Sequence, residues 1–136
     1  MATPRILIVD DDSSIRRMLS VIAGRAGVES DVARDGLEAV QKLDAGVFDL
    51  IILDLSMPRM NGFDLIDHLR HRNPRPAVIV LTALPPLQDL DPSVVHCIVR
   101  KPFDLGTFMA LFVATAADMS RTRQASNVIE FPQQNA

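Results

Sequence analysis

The sequence predicts an α/β protein built as a doubly wound, five-stranded parallel sheet with helices on both faces. Three observations lead there. Short, unbroken apolar runs recur along the chain, at Arg5-Ile6-Leu7-Ile8-Val9, Leu50-Ile51-Ile52-Leu53, Val78-Ile79-Val80-Leu81 and Ile98-Val99-Arg100, and runs of this length read as strands buried on both faces. Segments of helical periodicity separate them, which is what the crossovers of a parallel sheet require. Each run closes on a polar landmark: Asp10-Asp11-Asp12, Asp54, Thr82 and Lys101. The carboxyl ends of parallel strands share one edge, so these landmarks converge there although they lie far apart in sequence.

Taken in order, the first strand leads into a helix on which Ile15, Met18, Leu19, Ile22, Ala23 and Ala26 repeat at i, i+3, i+4, i+7, i+8 and i+11. Asp12 or Ser13 caps its start and Gly27 ends it. Val28 to Ala33 alternates as a short second strand, and Leu37, Val40 and Leu43 mark a second helix ending near Gly46. The third strand runs from about Phe48 to Asp54. It leads into Ser56-Met57-Pro58-Arg59-Met60-Asn61-Gly62, loop chemistry in which Pro58 blocks a helix and Gly62 is free to take unusual dihedrals. Phe63, Ile66, Leu69 and Arg70 continue as a third helix until Asn73-Pro74, and Ala77 to Thr82 is the fourth strand. Pro85, Pro86 and Pro92 leave room for no more than a short helical turn, so the fourth helix is expected to be shortened or irregular. Val94 to Arg100 forms the fifth strand, and Asp104 caps a last helix carrying Leu105, Phe108, Met109, Phe112 and Ala116 on one face. Beyond Met119 the chain turns polar, so residues 4–118 read as one domain and 119–136 as a flexible tail. Five strand-helix alternations give a flavodoxin-like order, with a ligand site at the switch point of the sheet.

At 136 residues the chain has the length of one domain, and 48% apolar with 23% charged residues is ordinary for a soluble globular protein. A net charge of −3 and the scatter of Arg16, Arg17, Arg70, Arg72 and Arg75 over separate segments argue against nucleic acid as a direct partner. Cys97 is the only cysteine, which excludes an internal disulfide and fits a reducing cytoplasm. No apolar stretch approaches membrane-spanning length, and the N-terminus lacks the apolar core of a secretion signal. The expected location is therefore the cytoplasm, with no membrane partner.

The shared edge holds several carboxylates, a hydroxyl and an ammonium. Crowded carboxylates repel, and a hard divalent cation such as Mg2+ relieves that repulsion. A cation, a lysine and a free carboxylate together suit an incoming phosphoryl group, and the carboxylate can act as its nucleophile when metal and lysine offset the transferring charge. Taken singly, Asp54 is an ordinary turn acid, Thr82 a strand residue and Lys101 a solvated charge; their common edge gives them weight. Asp12 reads as a helix cap rather than a ligand. His68 and His71, three residues apart on a helix, read as solvated side chains, and His96 with Cys97 lacks a second thiol or nearby acid. The stripe of Phe108, Met109 and Phe112 reads as core.

Four pieces resemble the receiver domain of two-component response regulators over residues 4–118: Ile6-Leu7-Ile8-Val9-Asp10-Asp11-Asp12, Leu53-Asp54-Leu55-Ser56-Met57-Pro58-Arg59-Met60-Asn61-Gly62, Leu81-Thr82-Ala83 and Lys101-Pro102-Phe103. The resemblance implies that Asp54 accepts a phosphoryl group from a histidine kinase or phosphotransfer protein. It implies that Asp11 ligates Mg2+ directly, that Asp10 acts through a bound water, and that Ser56 supplies a backbone carbonyl. Thr82 then corresponds to the hydroxyl that meets the phosphoryl group, Lys101 to the ammonium that pairs with it, and Pro102 to a proline often in a cis peptide.

Two departures stand against that pattern. Ile98 occupies the position, three before the lysine, where the family commonly has an aromatic rotamer switch, and the interval from Thr82 to Lys101 is short and proline-broken. The expected output is therefore an ordering of Leu84 to Val94, with Leu84 slowing water entry to the acceptor. The overall expectation is a stand-alone phosphorylation-controlled signalling module that switches a downstream protein and is not an enzyme beyond its own phosphoryl transfer and dephosphorylation. The alternative is a degenerate receiver that binds protein without phosphorylation. A dehalogenase-like phosphatase would need an acid two residues after Asp54, where Ser56 stands, and a flavodoxin would need a phosphate-binding loop where the three acids stand.

Overall fold

In order along the chain, the elements are β1 (Arg5–Val9), α1 (Ser13–Arg25), β2 (Glu29–Ala33), α2 (Gly36–Ala45), β3 (Leu50–Asp54), α3 (Gly62–Leu69), β4 (Ala77–Thr82), β5 (Val95–Arg100) and β6 (Ile129–Phe131). The structure is a computed structural model that describes residues 4–55, 62–72, 76–82, 92–101 and 104, and the backbone of 129–131. All strand pairs are parallel, in the order β2-β1-β3-β4-β5-β6. The first five strands thus take the doubly wound order expected from the alternation of apolar runs and helical segments.

The strands are apolar on both sides because both sides are covered. Leu7, Val9, Ile51, Leu53, Val78 and Val80 pack with Ala39 and Leu43 of α2 and Leu65, Ile66 and Leu69 of α3. The alternate residues Ile6, Ile8, Leu50, Ile52, Ile79 and Leu81 pack with Leu19, Ile22 and Ala23 of α1. Burying a side chain of this kind contributes roughly 1.5–3 kcal/mol. The two cores fix the strand register and, with it, the level at which each strand ends.

Local chemistry sets the helix limits. Asp12 is the N-cap of α1 and its carboxylate accepts the Ser14 N–H at 2.8 Å. Gly27 stops the helix at φ 73°, in the left-handed region, while the Val28 N–H reaches back to the Ala23 carbonyl at 3.0 Å. Asp35 caps α2 through the Glu38 N–H at 2.8 Å. Within α2, Ala39 and Leu43 are buried but Leu37, one of the three residues that marked the helix, is 43% exposed. The third strand begins at Leu50 rather than Phe48, although Phe48 is buried, and α3 ends at Leu69, before Asn73. The expectations for Ser56, the shortened fourth helix, Leu84, Pro102 and the last helix fall outside the described residues.

Beyond the expected five strands, Ile129–Phe131 adds a sixth on the outer edge of β5, with Cys97 level with Ile129, Ile98 with Glu130 and Val99 with Phe131. The sequence reading placed these residues in the polar tail. Three residues interrupted by Glu130 are too short a run for period counting, and the polar residues around them hide it.

Candidate functional site

Register brings the landmarks together. Val9 is level with Leu53, Asp54 with Leu81, and Thr82 with Arg100, so Asp10, Asp54, Thr82 and Lys101 all stand at the carboxyl edge. Asp10 is 1% exposed, its N–H donates to the Ala33 carbonyl at 3.1 Å, and its Oδ1 accepts the Asp12 N–H at 2.9 Å. Arg16, one turn into α1, donates Nη1 to the Asp10 carbonyl at 2.7 Å. The turn from β1 into α1 is therefore pinned from both sides. Asp54, the last residue of β3, is 6% exposed, whereas Asp11 points toward solvent.

Oxygen atoms of Asp10, Asp11 and Asp54 lie within 4.8 Å of one another. Lys101 Nζ is 3.5 Å from Asp10 Oδ2 and 3.7 Å from Asp54 Oδ2. The Lys101 N–H donates to the Thr82 carbonyl at 2.8 Å, tying the end of β4, where Thr82 is buried, to the start of the lysine. Burial pushes the Asp10 carboxyl above the usual carboxylate range. The Asp12 N–H and Lys101 oppose that shift, while the neighbouring Asp54 and Asp11 add to it. One ammonium thus faces several carboxylates, and the buried Asp10 Oδ2 has no hydrogen-bond partner. A buried orphan oxygen beside two further carboxylates fits a hard, oxygen-seeking cation, and Mg2+ is such an ion.

Of the residues singled out in the sequence, Asp10, Asp11, Asp54 and Lys101 meet here and Thr82 ends the adjacent strand, while Ser56 lies outside the described residues. Asp12 is the helix cap it was expected to be. His68 sits at the last turn of α3, where its Nε2 is 3.5 Å from Arg72 Nη2, at the opposite end of the sheet from the acids. Burial pushes the Cys97 thiol up to about 12, so the cysteine is core rather than nucleophile. Sequence reasoning missed Arg16, counted there only among scattered charges. It also misjudged Gly62. That residue opens α3 in close contact with the end of β3: a Cβ there would meet Leu55 Cα at 2.5 Å and the Asp54 carbonyl oxygen at 2.7 Å.

The comparisons with known proteins agree with this geometry. The model of the response regulator receiver domain matches residues 6–112. The chain is 45% identical over 76 residues to a protein-glutamate methylesterase/protein-glutamine glutaminase of Anaeromyxobacter dehalogenans, covering 56% of this chain and 22% of that protein. It is 34% identical to the response regulator protein PilR of Pseudomonas aeruginosa, over 85% of this chain and 26% of PilR. Across the first curated relatives it spans only 22% to 27% of their length. Among solved structures, the chemotaxis response regulator CheY4 of Vibrio cholerae superposes with a TM-score of 0.76 at 30% identity, over 84% of this chain and 99% of that one. Sheet order, edge chemistry and family match coincide, and the chain belongs to the response regulator receiver domain family.

Proposed function

We propose that the chain is a phosphoacceptor module of a two-component system or phosphorelay that takes a phosphoryl group on Asp54 from a histidine kinase or phosphotransfer protein. The carrying observation is that Asp54, nearly buried at the end of β3, shares one edge with Asp10, Asp11 and Lys101 at ion-pair or metal-ligand distances. In the reaction an Asp54 carboxylate oxygen attacks phosphorus. The donor's P–N bond breaks, its electron pair leaves with the imidazole, and an acyl phosphate remains on Asp54. Lys101, already 3.7 Å from Asp54, follows the charge onto a phosphoryl oxygen. Thr82 donates its hydroxyl to another. Asp11 and Asp10 would hold Mg2+, together with the Ser56 carbonyl that the family resemblance implies, and the ion would supply positive charge against the transferring oxygens. The phosphorylated chain then changes its affinity for a downstream protein, in the cytoplasm. This chemistry assists the chain's own phosphorylation and dephosphorylation and turns over no other substrate.

The test is intact mass after incubation with Mg2+ and acetyl phosphate. One labile phosphoryl mass is expected, absent without Mg2+ and absent in Asp54→Asn. Full labelling of that variant would remove Asp54 as acceptor. No labelling of the native chain, with every site residue folded in place, would favour a receiver that only binds protein.

A further inference from the structure

The two edges of the sheet are defended differently. On one side β2 begins Glu29-Ser30-Asp31, exposed or half-buried, with Asp31 ion-paired to Lys42 at 2.6 Å. Charges on an edge strand discourage pairing with another chain. On the other side, β5 and the residue before it read Val94-Val95-His96-Cys97-Ile98-Val99, with no Asp, Glu, Lys or proline until Arg100. Such an edge, left open, is a template for an added strand. Here it is covered, by Ile129–Phe131 in parallel register with Cys97, Ile98 and Val99. The covering strand has its own acid, Glu130, at its middle position and is followed in sequence by Pro132, both of which blunt an outermost edge.

The cover is short. Three residues pair with β5, so only a few main-chain hydrogen bonds hold it, and Val95 lies outside the paired register. Each such bond contributes little net stability against water. A strand held so weakly at an apolar edge is exchangeable for another strand that offers the same backbone groups.

We propose that the outer edge of β5 is a strand-docking surface, occupied in the free chain by residues 129–131, and that the partner it fits is an extended protein segment of apolar–acidic–apolar pattern. The segment adds in parallel beside Cys97 to Val99 by displacing the chain's own strand. Main-chain pairing supplies affinity, and positions level with Cys97, Ile98 and Val99 supply selectivity. The surface lies on the strand that leads directly into Lys101, so a docked segment touches an element of the acceptor site. Docking itself requires no phosphoryl group, and its test is independent of acceptor chemistry.

The probe is a synthetic peptide with the sequence of residues 126–132, Ser126-Asn127-Val128-Ile129-Glu130-Phe131-Pro132, added to the full unphosphorylated chain. Amide exchange of the native chain should show protection at those amides of residues 129–131 that face β5, and excess peptide should accelerate their exchange while Cys97 to Val99 stay protected. In the full chain carrying Ile129→Pro and Phe131→Pro, or Glu130→Pro, the tethered strand loses ladder donors. The peptide should then bind on the order of tenfold tighter, because competition from a strand at high effective concentration is removed. Amide shifts at Cys97 to Val99 should report the contact. Unprotected 129–131 amides in the native chain would overturn the proposal. So would equal peptide affinity in native and both proline variants, or binding that leaves Cys97 to Val99 unshifted.

Discussion

Replacing Gly62 by alanine tests how α3 positions Asp54. The added Cβ would sit 2.5 Å from Leu55 Cα and 2.7 Å from the Asp54 carbonyl oxygen, and both of these are main-chain atoms. Carbon atoms pack at about 3.5–4.0 Å, so α3 and the end of β3 must separate by roughly 1 Å. The Gly62 N–H also donates to the Leu55 carbonyl at 3.0 Å, a bond that this separation stretches. Overpacking of this kind costs roughly 1–3 kcal/mol. It also displaces Asp54 relative to Lys101, and a misplacement of about 1 Å at a reacting group can cost about 100-fold in rate. The expected variant is thus less stable in thermal and denaturant unfolding and slow to take phosphate from acetyl phosphate, even when fully folded. Gly24→Ala is the matched control. Gly24 lies inside α1 with nothing within 4 Å of the position its Cβ would take. Alanine there should stabilise the chain by about 0.5–1 kcal/mol and leave phosphorylation unchanged. Native stability and native phosphorylation rate in Gly62→Ala would refute the reasoning.

The other expectations concern charge and reactivity. Asp11→Ala should weaken Mg2+ binding strongly and Asp10→Ala more mildly, while Asp12→Ala should cost helix stability of about 1 kcal/mol and leave Mg2+ affinity alone. Calorimetry or NMR must follow these titrations, since the chain has no Trp or Tyr, and undiminished affinity in both Asp10 and Asp11 variants would remove the metal site. Burial and neighbouring acids raise the Asp10 pKa above the ordinary carboxylate range, so its ionised form destabilises the fold at neutral pH, and Asp10→Asn should unfold at higher temperature than the native chain at pH 7. That gap should close as the pH falls through the raised pKa and below the unfolded value, where both chains carry a neutral group; a gap that grows in acid would reverse the sign of the argument. Cys97, with its thiol at about 12 inside the core, should resist a thiol reagent in native buffer and react stoichiometrically once the chain is unfolded; rapid native labelling would show that β5 opens.

What the sequence made legible is the part of the fold that burial writes into residue type. Strands covered on both faces need apolar side chains at every position, and β1, β3 and β4 are buried almost throughout. The site was legible for the same reason: a charged residue directly after such a run can only stand at the rim, so Asp10, Asp54 and Lys101 announce the edge. Features that depend on main-chain approach leave no such mark. Leu37 satisfies a helical period yet faces solvent, because the small Ala39 fills the core position and three apolar positions cannot fix a stripe. Gly62 was read as conformational freedom, whereas its importance is the contact distance to Leu55, which no pattern along the chain records. Arg16 looked like one charge among several scattered along the chain. Its role comes from the path of the chain: Asp12 caps α1, the cap sets where the first turn begins, and only then does the guanidinium fall 2.7 Å from the Asp10 carbonyl. The cap, the buried acid and the arginine thus form one chain of dependence, in which a side chain chosen to start a helix also fixes where the Arg16 guanidinium meets the Asp10 carbonyl.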